Sequence, residues 1–202
     1  MNKELVLASG SPRRKELLTQ LGLSFRVHTS HVDETIDHSH TSPDIIAKSL
    51  ASRKVEAVAA EYSDAIVIGA DTIVVIDGDI LGKPRDAKDA TTMLNRLQGR
   101  SHQVYTGIAI REVEAHKTVR SIDDIRMTNV HMRMLTPETI ASYILTGHPM
   151  DKAGSYGIQG LGSVLVDRIE GCYYNVVGLS LPLLDDMFTR LNYPLIQTFG
   201  SK

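Results

Sequence analysis

The stretch from Ala65 to Ile76 constrains this chain most. It is apolar almost throughout, rich in valine and isoleucine, with Asp71 and Thr72 inside it. Such a segment reads as a strand, and the Asp77-Gly78 pair after it is a hairpin-turn signal. A carboxylate within an apolar strand is costly unless it is paired or binds a metal. Gly69 and Ala70 leave room beside it for a ligand or another backbone. Asp71 is therefore a candidate functional residue, and the competing reading is a buried salt bridge to a Lys or Arg. Asp71 and Thr72 point to opposite faces of a regular strand, so they share a pocket only if a bulge or strand end lies there.

A second constraint sits near the N-terminus. Leu5-Val6-Leu7-Ala8 is a continuous apolar run, broken by Ser9-Gly10-Ser11-Pro12. This predicts a buried strand, a small-residue turn and a helix with Ser11 as N-cap and Pro12 in its first turn. Leu17, Leu18 and Leu21 continue at helical spacing, and Gly22 ends the helix. Arg13 and Arg14 then lie at a helix N-terminus, where free backbone N–H groups and fork-shaped guanidinium donors suit phosphate oxygens. The alternative is a capped helix with two solvated arginines. No Gly-Lys-Ser/Thr follows, so this is not a P-loop.

Along the rest of the chain, short strands are predicted at Phe25–Thr29 and Ser163–Ile169. Alternating strands are predicted at Val104–Val113, Thr118–Ile125 and Arg126–Leu135. Helices are predicted from about Ile45 to Glu61, from the Asp86 cap to Leu97, from Thr136 to Gly147, and over Val176–Leu191, with Pro182 inside the last or marking its true start. The polar stretch from His31 to Pro43 reads as a loop. The elements mix without a strict βαβ rhythm, which predicts an α/β protein with an elongated mixed β-sheet flanked by helices.

The 202 residues suit one domain, or two small lobes around a shared cleft. With 22 Lys plus Arg against 24 Asp plus Glu, nothing suggests a basic nucleic-acid footprint, so any bound polyanion must meet a local cluster. The single cysteine, Cys172, excludes an intrachain disulfide and makes a cytoplasmic setting the default. No apolar stretch approaches the ~18 residues of a spanning helix.

Three further groups bear on chemistry. Lys54 lies in the long helix, and Lys83 in the Leu81-Gly82-Lys83-Pro84 turn. Each alone reads as a solvated charge, as does Glu34 in the polar loop. Together, carboxylates for a divalent cation and lysines for phosphates fit nucleotide chemistry. Asp151 to Gly162 holds four glycines in its last nine residues. Its Gln159 amide could read a base edge, although a flexible surface loop is the plainer expectation.

In combination these segments resemble the Maf family of nucleoside triphosphate pyrophosphatases. The matching stretches are Leu7 to Arg14, Val32-Asp33-Glu34, Lys54, Gly69-Ala70-Asp71-Thr72, Gly82-Lys83-Pro84, His102 to Gly107, Asp151 to Gly160 and Asn175 to Leu179, in the family's order. The resemblance covers nearly the whole length. It implies residues 1–202 as a single Maf-like domain with two lobes around a cleft, similar to inosine-triphosphate pyrophosphatases. It implies cleavage between the α and β phosphates, a divalent metal cation (Mg or Mn) and a cytoplasmic home. It also implies Asp71 as proton acceptor. Ser9, Arg13, Arg14, Lys54 and Lys83 are then expected to bind phosphate, and Glu34 and Asp71 to hold the metal. Three positions separate the family's branches. Arg13, Thr72 and Gln159 match the dTTP- and UTP-preferring branch, whereas a branch acting on 7-methyl-GTP carries Trp, Gln and Glu there. Ser180 departs from the Gly-Leu-Pro continuation of many members. The expected partner is the nucleoside triphosphate, with no nucleic acid or membrane, and a homodimer is compatible with the resemblance. A division-linked interaction protein or a nucleotide sensor with little turnover is the alternative. Asp71→Asn is expected to abolish turnover with little change in melting temperature.

Overall fold

The computed structural model describes residues 3–32 and 42–199. Glu34 and most of the polar loop therefore lie outside the described residues. Seven strands form one sheet in the order β2-β1-β3-β5-β6-β7, with β4 beside β3. The strands are β1 (Glu4–Leu7), β2 (Arg26–Val27), β3 (Asp64–Ile76), β4 (Asp79–Leu81), β5 (Ser101–Glu114), β6 (Lys117–Met132) and β7 (Val166–Glu170). The helices are α1 (Pro12–Gln20), α2 (Pro43–Ala59), α3 (Ala87–Leu97), α4 (Pro137–Leu145), α5 (Tyr173–Val177), α6 (Leu181–Arg190) and α7 (Leu195–Phe199). The mixed α/β expectation holds: β1 pairs in parallel with β2 and β3, whereas β4 and β7 pair antiparallel with β3 and β6.

The chain divides into two compact units. The first comprises residues up to Asp71, Thr106–Arg126 and Gly178 onward; the second comprises Thr72–Tyr105 and Met127–Val177.

In the first unit, α2 lies on the sheet because its inward face is apolar at helical spacing: Ala47, Leu50, Ala51, Val55 and Val58 are buried. Of these, Ala51, Val55 and Val58 pack with Val6 of β1, Ala8 just past it, Ala65 and Val67 of β3, and Ala109 and Val113 of β5. Burying each larger side chain contributes about 1.5–3 kcal/mol. Close approach requires glycine at two points. A Cβ on Gly69 would stand 2.4 Å from Val55 Cγ2, and one on Gly107 would stand 2.3 Å from the Ala47 carbonyl oxygen.

In the second unit, Val74, Ile76 and Leu81 of the β3–β4 hairpin pack with Leu94 and Leu97 of α3, Ile140 and Tyr143 of α4, and Tyr156 and Leu165. The hairpin turns at Asp77 and Gly78, both at positive φ, as expected from their chemistry. Asp86 caps α3 by accepting from the Asp89 N–H at 2.8 Å.

Several expectations need correction. Residues 117–132 form one strand rather than two, because Asp123 and Asp124 are paired with Arg111 and Arg190 and need no turn to reach solvent. The turn joining β5 to β6 uses Ala115 and His116 at φ 47 and 61, with no glycine to announce it. Only Arg26 and Val27 of the Phe25–Thr29 stretch pair with β1. Residues 160–165 form 3-10 turns, and the strand begins at Val166. Pro182 marks the true start of a separate helix, α6, where Ser180 accepts from the Leu183 N–H at 3.4 Å. Ser180 thus supplies a side-chain cap at the position where it departs from the family pattern.

Candidate active site

The order β2-β1-β3 places β1 between two parallel neighbours reached by successive crossovers, one through α1 and one through α2. Such a reversal of strand order is a switch point, and ligands of open α/β sheets bind beyond the C-terminal ends of strands there. β1 pairs with β3 as far as Leu7 and Ile68, and the Ala8 N–H adds a bond to the Ile68 carbonyl at 2.7 Å. Ser9 follows β1 closely, and Asp71 lies within β3 three residues past Ile68, where the pairing with β1 has ended.

Alternation along β3 decides which way Asp71 faces. Ala65 and Val67 pack in the α2 cluster and Gly69 abuts Val55, so odd positions face α2. Asp71 continues that row and accepts a hydrogen bond from Lys54 Nζ on α2 at 2.5 Å. Asp71 and Lys54 are each 8% exposed. The buried salt bridge weighed for Asp71 is present, and its partner is another of the candidate residues. Lys54 is not the solvated charge its lone position suggested. It stands four residues from both Leu50 and Val58, on the buried face of α2, and that spacing was a signal available in the sequence. β3 runs unbroken from Asp64 to Ile76, with no strand end between Asp71 and half-buried Thr72.

The turn after β1 is held by its own side chains. Ser9 Oγ accepts from the Ser11 N–H and from Arg14 Nη1, both at 3.2 Å. Arg14 Nε donates to the Gly178 carbonyl at 2.8 Å. Arg14 is thus aimed by the backbone rather than solvated freely. Ser11 occupies the N-cap position of α1, but its side chain makes no capping bond, which corrects the expected cap. Arg13 is half-buried on the first turn of α1.

Ser9, Arg13, Arg14, Lys54 and Asp71 belong to the first unit. The second unit contains Thr72, Lys83 and Gln159; Lys83 is exposed and Gln159 half-buried. The Asp151–Gly162 segment is not a loose surface loop, because Gly154, Ser155 and Tyr156 are buried. An open cavity in the second unit is lined by Asp77, Ser101, His102 and Asn129 among others, and by none of the candidate site residues.

Sequence reasoning passed over three buried groups. Arg111 Nη1 donates to Asp123 at 2.5 Å, and its Nη2 reaches Ser52 and Glu56 of α2. Burial opposes its charge, but Asp123 and Glu56 outweigh that and hold the guanidinium protonated. Glu112 is buried, which would raise its pKa. Hydrogen bonds from Arg120, Lys3 and Tyr193 hold it below the ordinary carboxylate value instead. His102 shares a 2.7 Å hydrogen bond with the Tyr156 hydroxyl. Adjacent charges inside an otherwise apolar strand were the available signal for Arg111 and Glu112.

The metal expectation rests on Glu34 and Asp71. Among the described residues no three His, Cys, Asp or Glu side chains gather around one point. Asp71 is one carboxylate, already engaged by Lys54. Mg²⁺ can be held through one or two carboxylates with water and substrate phosphates completing its shell. The single carboxylate among the described candidate ligands suits a cation that arrives with a phosphate ligand.

Residues 4–191 match the family model described as Maf-like protein, and the chain belongs to that family. Three curated relatives are each named "dTTP/UTP pyrophosphatase". That of Dictyoglomus turgidum is 49% identical over 97% of this chain and all of its own length. That of Symbiobacterium thermophilum is 49% identical over 96% of both chains. That of Bacillus cytotoxicus is 50% identical over 90% of this chain and 92% of its own. Among solved structures, a HAM1 protein from Coxiella burnetii aligns over 94% of this chain and 98% of its own with a TM-score of 0.52 at 13% identity, which shows a shared fold. No helix among the described residues is long and apolar enough to cross a membrane.

Proposed function

We propose that this chain is a nucleoside triphosphate pyrophosphatase that hydrolyses dTTP and UTP to the monophosphate and pyrophosphate. The observation that carries the reading is the buried Lys54–Asp71 pair just past the β1–β3 pairing, beside the turn where Ser9 and Arg14 are locked together. Near-full-length likeness to relatives carrying that activity in their names supports the substrate class.

In this reading Asp71 is the proton acceptor. It takes a proton from water as the water oxygen bonds to the α phosphorus and the bridging oxygen leaves with pyrophosphate. Without substrate, Lys54 and Asp71 neutralise each other. An arriving triphosphate offers Lys54 a stronger anion, and the carboxylate is released for the water. Ser9, Arg13, Arg14 and Lys83 hold phosphate oxygens and offset charge growing on the leaving group. Arg13, Thr72 and Gln159 select the base. Asp71, with Glu34, would hold a Mg²⁺ or Mn²⁺ ion, which when bound supplies charge neutralisation on the phosphates.

The test is pyrophosphate release from UTP, dTTP, CTP, GTP, 7-methyl-GTP and ITP with Mg²⁺ or Mn²⁺, beside Asp71→Asn. Selective release from UTP and dTTP, lost in the variant, is expected. Preference for 7-methyl-GTP or ITP would overturn the base assignment, and an active Asp71→Asn enzyme would overturn the mechanism.

A further inference from the structure

Gln159 sits in a segment whose backbone is unusual. Gly154 and Ser155 both take left-handed φ, 69° and 62°. The second is a residue that disfavours such a conformation, so its surroundings must impose it. Three contacts do so. The Gly154 N–H donates to the Gly82 carbonyl at 3.0 Å, which ties the segment to the turn carrying Lys83. A Cβ on Gly154 would lie 3.0 Å from Val74, so the backbone is pressed onto β3. Tyr156, three residues before Gln159, is hydrogen-bonded to His102 of β5, and the two rings meet edge to face at 5.3 Å. Beyond it the segment doubles back, since a Cβ on Gly162 would lie 2.0 Å from the Gly157 carbonyl oxygen.

His102 is 3% exposed, and no hydrogen-bond partner for its Nδ1 is found among the described residues. The neighbouring core is apolar: Tyr156 packs with Val74, Leu94 and Val104. An apolar ring would fill the site without burying an imidazole edge. What the imidazole adds is a fixed point for the Tyr156 hydroxyl.

We propose that His102 and Tyr156 are positioning residues for base selection, fixing the Gln159 segment through their hydrogen bond. This rests on the pyrophosphatase reading and on Gln159 meeting the base. Neither residue touches substrate in this scheme. A displacement of the Gln159 amide would blunt discrimination between pyrimidines while leaving the phosphate chemistry in place.

The experiment compares kcat/KM for UTP and CTP in wild type, Tyr156→Phe, His102→Phe, the double variant and Gln159→Ala. We expect the UTP preference to fall about tenfold in Tyr156→Phe, through KM for UTP, with kcat nearly unchanged. His102→Phe should match it, and the double variant should lose no more than either single one, as expected for partners in one bond. A purely structural role would lower stability and leave the preference intact, and that result in a folded Tyr156→Phe overturns the proposal. If His102→Phe fails to fold, Tyr156→Phe decides alone. Unchanged preference in Gln159→Ala with lost preference in Tyr156→Phe would overturn the route through Gln159. A wild-type enzyme that releases no pyrophosphate removes the parent reading as well.

Discussion

The buried polar groups of the first unit include two acids and two bases: Lys54, Asp71, Arg111 and Glu112. Those of the second unit are His102, Thr128, Ser155 and Asn175, held as dipoles. Asn175 Nδ2 donates to the Val104 carbonyl and to Thr128 Oγ1, both at 3.0 Å. Burial, with His131 nearby, pushes the His102 imidazole down to about 4, and burial raises the Tyr156 hydroxyl, so both stay neutral. The contrast teaches what each unit can offer a ligand. Paired charges can be re-paired by an incoming anion, whereas neutral hydrogen-bonded dipoles hold shape and have no ionic partner to exchange.

The largest expected effect tests whether the charges of the first unit are held only as a pair. Lys54→Met strands a buried carboxylate, which costs about 3–5 kcal/mol, or about 6–20 °C in Tm for a chain of this size. Lys54→Met/Asp71→Leu should recover much of that loss in calorimetry while staying inactive. Asp71→Asn should lower turnover by about 10²–10⁴-fold. Its Tm should fall by no more than a few degrees, because Asn still offers Lys54 a dipole in place of the charge. Equal stability in Lys54→Met and wild type would break the comparison.

The next effect belongs to the second unit and to acid. The folded His102 titrates at about 4, against 6.5 for the free side chain. Between those values the unfolded chain binds a proton that the folded one does not, so stability falls as pH drops from 6.5 and levels off below 4. The shift corresponds to about 3 kcal/mol. Urea unfolding across this window should show the loss in wild type and not in His102→Phe. Glu112 acts lower: its depressed folded pKa means its contribution is present above the unfolded carboxylate value of 4.5 and fades beneath it. Glu112→Gln should therefore lower stability by a constant amount above pH 5 and leave the slope of the His102 window there unaltered.

The smallest effect concerns helix starts. Asp86 and Thr136 cap α3 and α4 of the second unit through their side chains, whereas Ser11 and Ser42, before α1 and α2, make no such bond. Asp86→Ala should cost about 1 kcal/mol, and Ser11→Ala much less, as read by thermal melts.

Much of this architecture was legible in the sequence where one residue type carries the information. Asp77-Gly78, the Pro12 helix start and the Asp86 cap each act through their own backbone chemistry. What was hidden depends on partners far along the chain. Thr118 to Leu135 reads as two strands until Arg111 and Arg190 are placed beside Asp123 and Asp124. Ala115-His116 carries no turn chemistry, and the strands it joins impose its conformation. Asp71 stood out because a carboxylate is conspicuous among valines. Lys54 did not, because a lysine on a helix is ordinary until its spacing is compared with Leu50 and Val58. Arg111 and Glu112 were absorbed into an alternating pattern that does not reveal what covers each face.

The division into two units has a consequence for how the chain could be rearranged. The backbone passes between them after residues 71, 105, 126 and 177, and the first three passages fall inside β3, β5 and β6. A gene cut at those places would sever strands in mid-ladder, leaving fragments with raw edges instead of modules. Shuffling, fusion or fragment complementation has no loop to exploit at these three passages.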